Sequence, residues 1–159
     1  MVRWLGAAVA GRRGDWVAYG AVVAAALLMV CSGLIHIHLW DIAYRHVATL
    51  GPLFLVQAIA ALVLSVVLVA TRLVVVALAC IVLMLGTVGG FILADTVGIF
   101  GFKLPVVTGW AYEAVVAEVL SALVLAVLVV RSWRTLRAQE RARAAASRSG
   151  MARGMAGGV

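Results

Sequence analysis

Charge is scarce in this chain. Only 12% of its 159 residues are Asp, Glu, Lys or Arg, where a soluble domain carries roughly a quarter. Hydrophobic residues make up 66%, and the mean hydropathy is +1.18. There are too few polar side chains here to coat a water-soluble globule. The surplus must face lipid or other membrane subunits, so the composition predicts an integral membrane protein. Cysteine is also nearly missing. Cys31 and Cys80 stand alone in apolar runs, with no CxxC pair and no zinc-ribbon spacing. That counts against a four-helix thiol oxidoreductase, which needs paired cysteines. Enzyme templates are missing as well. The chain has no nucleophile elbow, P-loop, HExxH or dinucleotide-binding glycine turn, which weighs against an enzyme.

What is present is long apolar runs. A spanning helix needs about 20 mostly apolar residues. The first run covers about 16–35, with Asp15 placed as its N-cap. Residues 53–93 form one tract interrupted by Gln57 and by Thr71-Arg72. As a single helix it would reach roughly 60 Å, about twice the hydrocarbon thickness. It must fold back, and Arg72 marks the turn, giving spans of about 53–71 and 73–93. A fourth run covers about 110–130. The fold expected is all-α: a four-helix transmembrane bundle over 15–133. Residues 1–14, too short and too interrupted for a signal peptide, form a cytoplasmic or interfacial lead-in. Residues 134–159 form a basic tail, disordered past Ser147.

Basic residues set the orientation. With both termini inside, eleven arginines fall on the inner side and only Arg45 and Lys103 on the outer. The outer face then collects Asp41, Asp95, Glu113, Glu118 and all three histidines. Both termini are therefore placed in the cytoplasm. Topology accounts for the basic excess, so no nucleic-acid partner is inferred. The bilayer itself is the expected partner, and other membrane subunits are a further one. Arg131, Arg134, Arg137 and Arg141 recur at helical spacing and are expected to contact anionic headgroups, at about 1 kcal/mol each near the surface.

Glu118 is the most informative single residue. It lies some 12 Å below the outer end of the fourth span, where a carboxylate is costly unless protonated, paired or wetted. His36 and Gln57 fall in the same outer layer, so a His36–Gln57–Glu118 cluster is expected there. One reading makes it interhelical polar glue worth about 1 kcal/mol or less; others are proton or ligand handling, or metal or haem. His38, Asp41, His46, Asp95 and Glu113 form a candidate outer cation or metal site. The stretch HIHLWDIAYRH at 36–46 also has a plain account as a self-paired helix extension, since Asp41 and Arg45 are four apart. Its i,i+2 histidines point to opposite sides of a helix. Gly86 and Gly90 form a GxxxG packing face. Gly51-Pro52 suits the first turn of the second span. The segment 94–109, with its glycines and Pro105, reads as a loop or re-entrant turn.

Residues 32–64, SGLIHIHLWDIAYRHVATLGPLFLVQAIAALVL, resemble a group of small four-helix membrane proteins of actinobacteria. The shared residues are His36, Leu39-Trp40, Tyr44-Arg45, the Gly51-Pro-Leu-Phe54 run and a polar residue at Gln57, where that group has asparagine. GFILADTVGIFGFKLP and Glu118 are similar to it too. The resemblance implies a topology and a bacterial cytoplasmic membrane, and no activity. Two functions follow as expectations. One is a non-enzymatic accessory or assembly subunit of a membrane complex, with no cofactor. The other is a small transport or redox module that uses the outer His/carboxylate groups for protons, a metal or haem.

Overall fold

The computed structural model describes residues 2–10, 15–98 and 109–156. They form a short α1 (Val2–Leu5) and four long helices: α2 (Trp16–Leu39), α3 (Leu50–Thr71), α4 (Val74–Thr96) and α5 (Gly109–Ala156). A π-helical turn over Trp40–Tyr44 prolongs α2. Among the described residues these four helices are long and apolar enough to cross a membrane, and the chain is a multi-pass membrane protein with a four-helix bundle. Its ends are distinct. One, the histidine end, carries His36, the π-turn and the starts of α3 and α5. The other, the arginine end, carries α1, Arg72 and Arg131.

Small residues face inward and large ones outward, the reverse of a soluble core. Ala18, Ala25, Ala58, Ala61, Ala77 and Ala114 are buried, while Leu27, Leu34, Ile59, Val66 and Val82 are exposed. In lipid no hydrophobic force drives helices together, so close approach of small side chains supplies the packing. Met29, Leu68, Met84 and Leu125 fill the centre. Around the bundle, α2 packs on both α3 and α5, α4 packs on α5, and α3 and α4 close the ring.

The local signals act as the residues require. Asp15 caps α2 by accepting a hydrogen bond from the Ala18 N–H at 3.0 Å, covering one of the orphan donors of a helix start. Arg72 turns the chain between α3 and α4 with φ 53°, a left-handed conformation that a non-glycine residue adopts at a cost of roughly 1–2 kcal/mol. Its guanidinium lies 5.8 Å from the Tyr19 ring.

The lead-in is more than a leader to the first span. The Val9 N–H donates to the Arg72 carbonyl at 2.8 Å and the Val74 N–H to the Ala7 carbonyl at 2.9 Å, so residues 7–9 run along the α3–α4 turn. The Ser132 hydroxyl donates to the Ala8 carbonyl at 3.3 Å. Val9 and Ala10 are buried in the core. At the other terminus α5 continues to Ala156, beyond the Ser147 at which composition predicts order to end. Arg131 lies 3.9 Å from Asp15, and the Arg137 guanidinium stacks 3.8 Å over Trp133. Most of the segment 94–109 lies outside the described residues.

Two glycine sites differ sharply. A Cβ at Gly51 would meet the Tyr44 carbonyl oxygen at 2.7 Å, whereas one at Gly86 would meet nothing within 4 Å. Gly51 therefore lets the start of α3 pass under the π-turn. Gly51→Ala is expected to cost about 1–3 kcal/mol, the range for overpacking a tight site, and Gly86→Ala to leave stability unchanged. Thermal melts of the two variants in the same detergent check this.

Candidate functional site

At the histidine end, α2 and α5 meet along a polar seam. Ser32 and His36 are four residues apart on α2, and Glu118 and Ser121 are three apart on α5, so each pair occupies one helix face. All four are buried, Glu118 at 1% exposure. The Ser32 hydroxyl donates to Glu118 Oε1 at 2.8 Å, and Ser121 donates to the Ala25 carbonyl at 3.3 Å. His36 Nδ1 lies 2.9 Å from the Ser32 carbonyl. A carbonyl only accepts, so Nδ1 carries the proton and Nε2 points to Glu118, 3.8 Å from Oε1. That gap is too long for a hydrogen bond.

The seam forms one wall of a pocket of about 580 Å³ between the helices. On the α3 side, Phe54 stacks on Tyr44 with ring centroids 4.5 Å apart, and the His36 ring lies 5.2 Å from Phe54. Leu53 and Gln57 add to this wall; Val82, Leu83, Gly86 and Gly90 of α4 form the facing one. Toward the arginine end the two helices come together at Leu64 and Cys80, where sulfur and carbonyl are 4.0 Å apart. No residue between Gln57 and Val82, the stretch that holds this contact and the α3–α4 turn, lines the pocket. Val82 is 71% exposed and Leu53 45%, so the rim reaches the outer surface of the bundle near the middle of α4. Its mouth lies within the apolar length of the helices.

The expected cluster is brought together, with one change. His36, Gln57 and Glu118 all line the pocket, but the hydrogen bonds tie His36 and Glu118 to Ser32. Gln57 Nε2 is buried and has no hydrogen-bond partner among the described residues. Burying a polar donor without a partner costs about 1–3 kcal/mol, a cost Gln57 shares with Trp4, whose Nε1 is buried in the same way. Ser32 was missed because a serine among alanines in an apolar run carries no signal by itself. Its i,i+4 spacing to His36 was the readable clue.

The candidate outer cation site is not assembled. Among the described residues no three His, Cys, Asp or Glu side chains stand close enough to hold a metal ion. His38 instead packs edge-on against Trp110 at 5.1 Å. His46 Nε2 accepts from the Arg45 Nε–H at 3.0 Å, and Arg45 pairs with Asp41 at 3.3 Å. Asp95 lies in the last turn of α4 and Glu113 in the first turns of α5. Among the described residues no helix of this chain packs against Gly86 or Gly90, since a Cβ at either meets open space; both line the pocket. The close approach comes at Gly33, whose Cβ position is 3.3 Å from the Ala58 carbonyl of α3. No protein-family model, curated protein or solved structure matches the chain.

Proposed function

We propose that this multi-pass membrane protein is a non-enzymatic binding module for a lipid-soluble amphiphile. The pocket holds the ligand's polar end at His36, Gln57 and Glu118 and its apolar body between α3 and α4. The pocket itself carries the reading. Its volume of about 580 Å³ is of the size that accepts small molecules, apolar with a few placed polar groups. Polar glue between helices explains Ser32 and Glu118, but it gives no reason for an open pocket beside them. An accessory-subunit role rests on apolar lipid-facing surface, which membrane bundles of any function carry.

The arginine distribution supports an orientation with the arginine end in the cytoplasm of a bacterium and the pocket in the outer leaflet. In that orientation Arg131 and Arg134 lie at headgroup depth and meet anionic lipid. α5 continues unbroken, so Arg137 and Arg141 stand roughly 10 and 16 Å further along its axis than Val130 and contribute less.

The full chain, purified in a mild detergent and extracted with organic solvent, is expected to release a compound in stoichiometric amount. Gly90→Leu, whose Cβ enters open space beside the pocket, is expected to lose it while remaining folded and monodisperse, with its melting temperature lowered by no more than the lost ligand accounts for. A protein that carries no such compound and co-purifies with a defined membrane complex would overturn the binding reading in favour of an assembly role.

A further inference from the structure

We infer that the outward face of α5 docks a transmembrane helix of another protein, apolar within the membrane and acidic along its continuation past the arginine end. Val116, Leu120, Leu123, Val127 and Val130 are all exposed, and they recur at alternating intervals of four and three residues. That is the 3.5-residue repeat of a left-handed helix pair. Beyond Val130 the same repeat continues as Arg134, Arg137, Arg141 and Arg148, each exposed, with the exposed Ala144 at the one remaining position. α5 is unbroken across the change. One stripe therefore runs roughly 48 Å from Val116 to Arg148 at 1.5 Å per residue, half apolar and half cationic. Ala114, Glu118, Ser121 and Leu125, which turn into the bundle, lie off it. The pocket is lined from that inward side, by Ala114 and Glu118, so docking and ligand binding are separate events on one helix.

Lipid covers the apolar half of such a stripe in any bundle, and headgroups meet Arg131 and Arg134. Neither accounts for the rest. Arg141 and Arg148 stand roughly 16 and 27 Å past Val130 along the axis. A headgroup layer of about 5–8 Å and a screening length of about 8 Å end before them. The chain has no acid of its own to offer. Asp15 already faces Arg131, Asp41, Asp95, Glu113 and Glu118 belong to the histidine half, and Glu140 sits on α5 itself, outside the repeat. A second copy in the same orientation would set arginine against arginine, the like-charge contact that specific interfaces avoid. A nucleic acid fits the cationic half and has no place against the apolar one. The partner that covers both is a helix. Its carboxylates, three and four residues apart, fall opposite the arginines at matching intervals, and the arginine fork binds a carboxylate through paired hydrogen bonds. Between apolar helices lipid leaves no hydrophobic drive, so the arginine half sets partner choice and register.

The test places a photo-cross-linking residue at Leu123 or at Ala144 of the full chain, expressed in the cells that make it. Val66 of α3 and Arg143, on the opposite side of α5, are the exposed control positions. Adducts are identified by mass spectrometry of the joined peptides. Leu123 and Ala144 are expected to capture one and the same protein, and the controls to miss it. The peptide joined to Leu123 should be an apolar span, and the one joined to Ala144 its continuation, with Asp or Glu at three- and four-residue spacing. Combining Arg137→Gln with Gln139→Arg, and Arg148→Ala with Ala146→Arg, moves two charges to the far side of the helix. Net charge is unchanged, so orientation is retained. That variant should stay folded and cut the capture at least about tenfold. A joined peptide from a second copy of this chain overturns the docking inference, as does a partner without the acidic continuation. Adducts that nuclease removes, the absence of any protein adduct, or capture that ignores the moved charges overturn it equally. The bound compound is read separately, by solvent extraction, and none of these outcomes decides it.

Discussion

Ser32→Ala is expected to destabilise the bundle by about 1–3 kcal/mol, the cost of leaving a buried polar group unsatisfied, and Glu118→Met to be neutral or stabilising. The two residues share one short bond at 2.8 Å, but they do not bear its loss equally. Alanine at 32 removes the donor and strands a carboxyl at 1% exposure. It keeps the backbone carbonyl that holds His36 Nδ1, so the histidine stays in place and the effect isolates Glu118. Methionine at 118 keeps the volume and removes the group that needs a partner; replacing buried ionic or polar groups by packed apolar ones is often neutral or favourable by about 1–4 kcal/mol. The freed Ser32 hydroxyl can turn to a carbonyl one turn back on α2. The double variant should then melt close to Glu118→Met alone, since the cost of Ser32→Ala exists only while the carboxyl is present. Melts of the four proteins in one detergent measure the coupling, at about 2–4 °C per kcal/mol for a chain of this length. Equal costs of Ser32→Ala in both backgrounds would show that Ser32 does not hold Glu118. A glutamate whose removal stabilises the fold is retained for something other than stability, which is the link from this measurement to ligand binding.

Much of the fold was legible because membrane spans depend on length and composition, which a sequence displays directly. Asp15 caps α2 and Arg72 turns the chain between α3 and α4, as their places in the sequence predict. Helix ends were legible in part. α2 reaches Leu39 and continues as the π-turn to Tyr44, past the end of the span near residue 35 and in line with the helix extension read from the Asp41–Arg45 spacing. The lead-in gave no hint of docking, since its tie to the α3–α4 turn runs through backbone groups of Ala7 and Val9, and backbone bonding leaves no mark on side-chain type. The site divides the same way. His36, Gln57 and Glu118 were identifiable because each is costly in lipid. The cavity beside them was not, since Gly86 and Gly90 have the spacing of a packing motif whether a helix or a void lies opposite. Only the geometry separates the two.

A cysteine placed at Ala43 is expected to react fully with a membrane-impermeant maleimide added to intact cells, and one placed at Ala138 to react only after the membrane is opened. Both positions are exposed. The background should be Cys31→Ala, Cys80→Ala, since Cys31 is exposed on the lipid-facing side of α2 and Cys80 is buried. The contrast should be all or none, because the two sites lie at opposite ends of the bundle and no helix can be half inverted. The physical cause is the arginine asymmetry: eleven basic side chains would have to be translocated in the inverted form and two in the expected one. The pocket gives the result a second meaning. Its mouth lies on the histidine half of the helices, so labelling at Ala43 from outside places the ligand in the outer leaflet, on the side of substrates arriving from beyond the membrane. The opposite pattern would place His36 and Glu118 in the inner leaflet, and the arginine helix of α5 would then extend away from the cell interior, where no anionic surface is kept for it. Moving charge tests the cause directly. Replacing Arg131, Arg134 and Arg137 with glutamine and adding lysines at Ile42 and Ala48 cuts the asymmetry from eleven against two to eight against four, and labelling at Ala138 in intact cells should rise above zero.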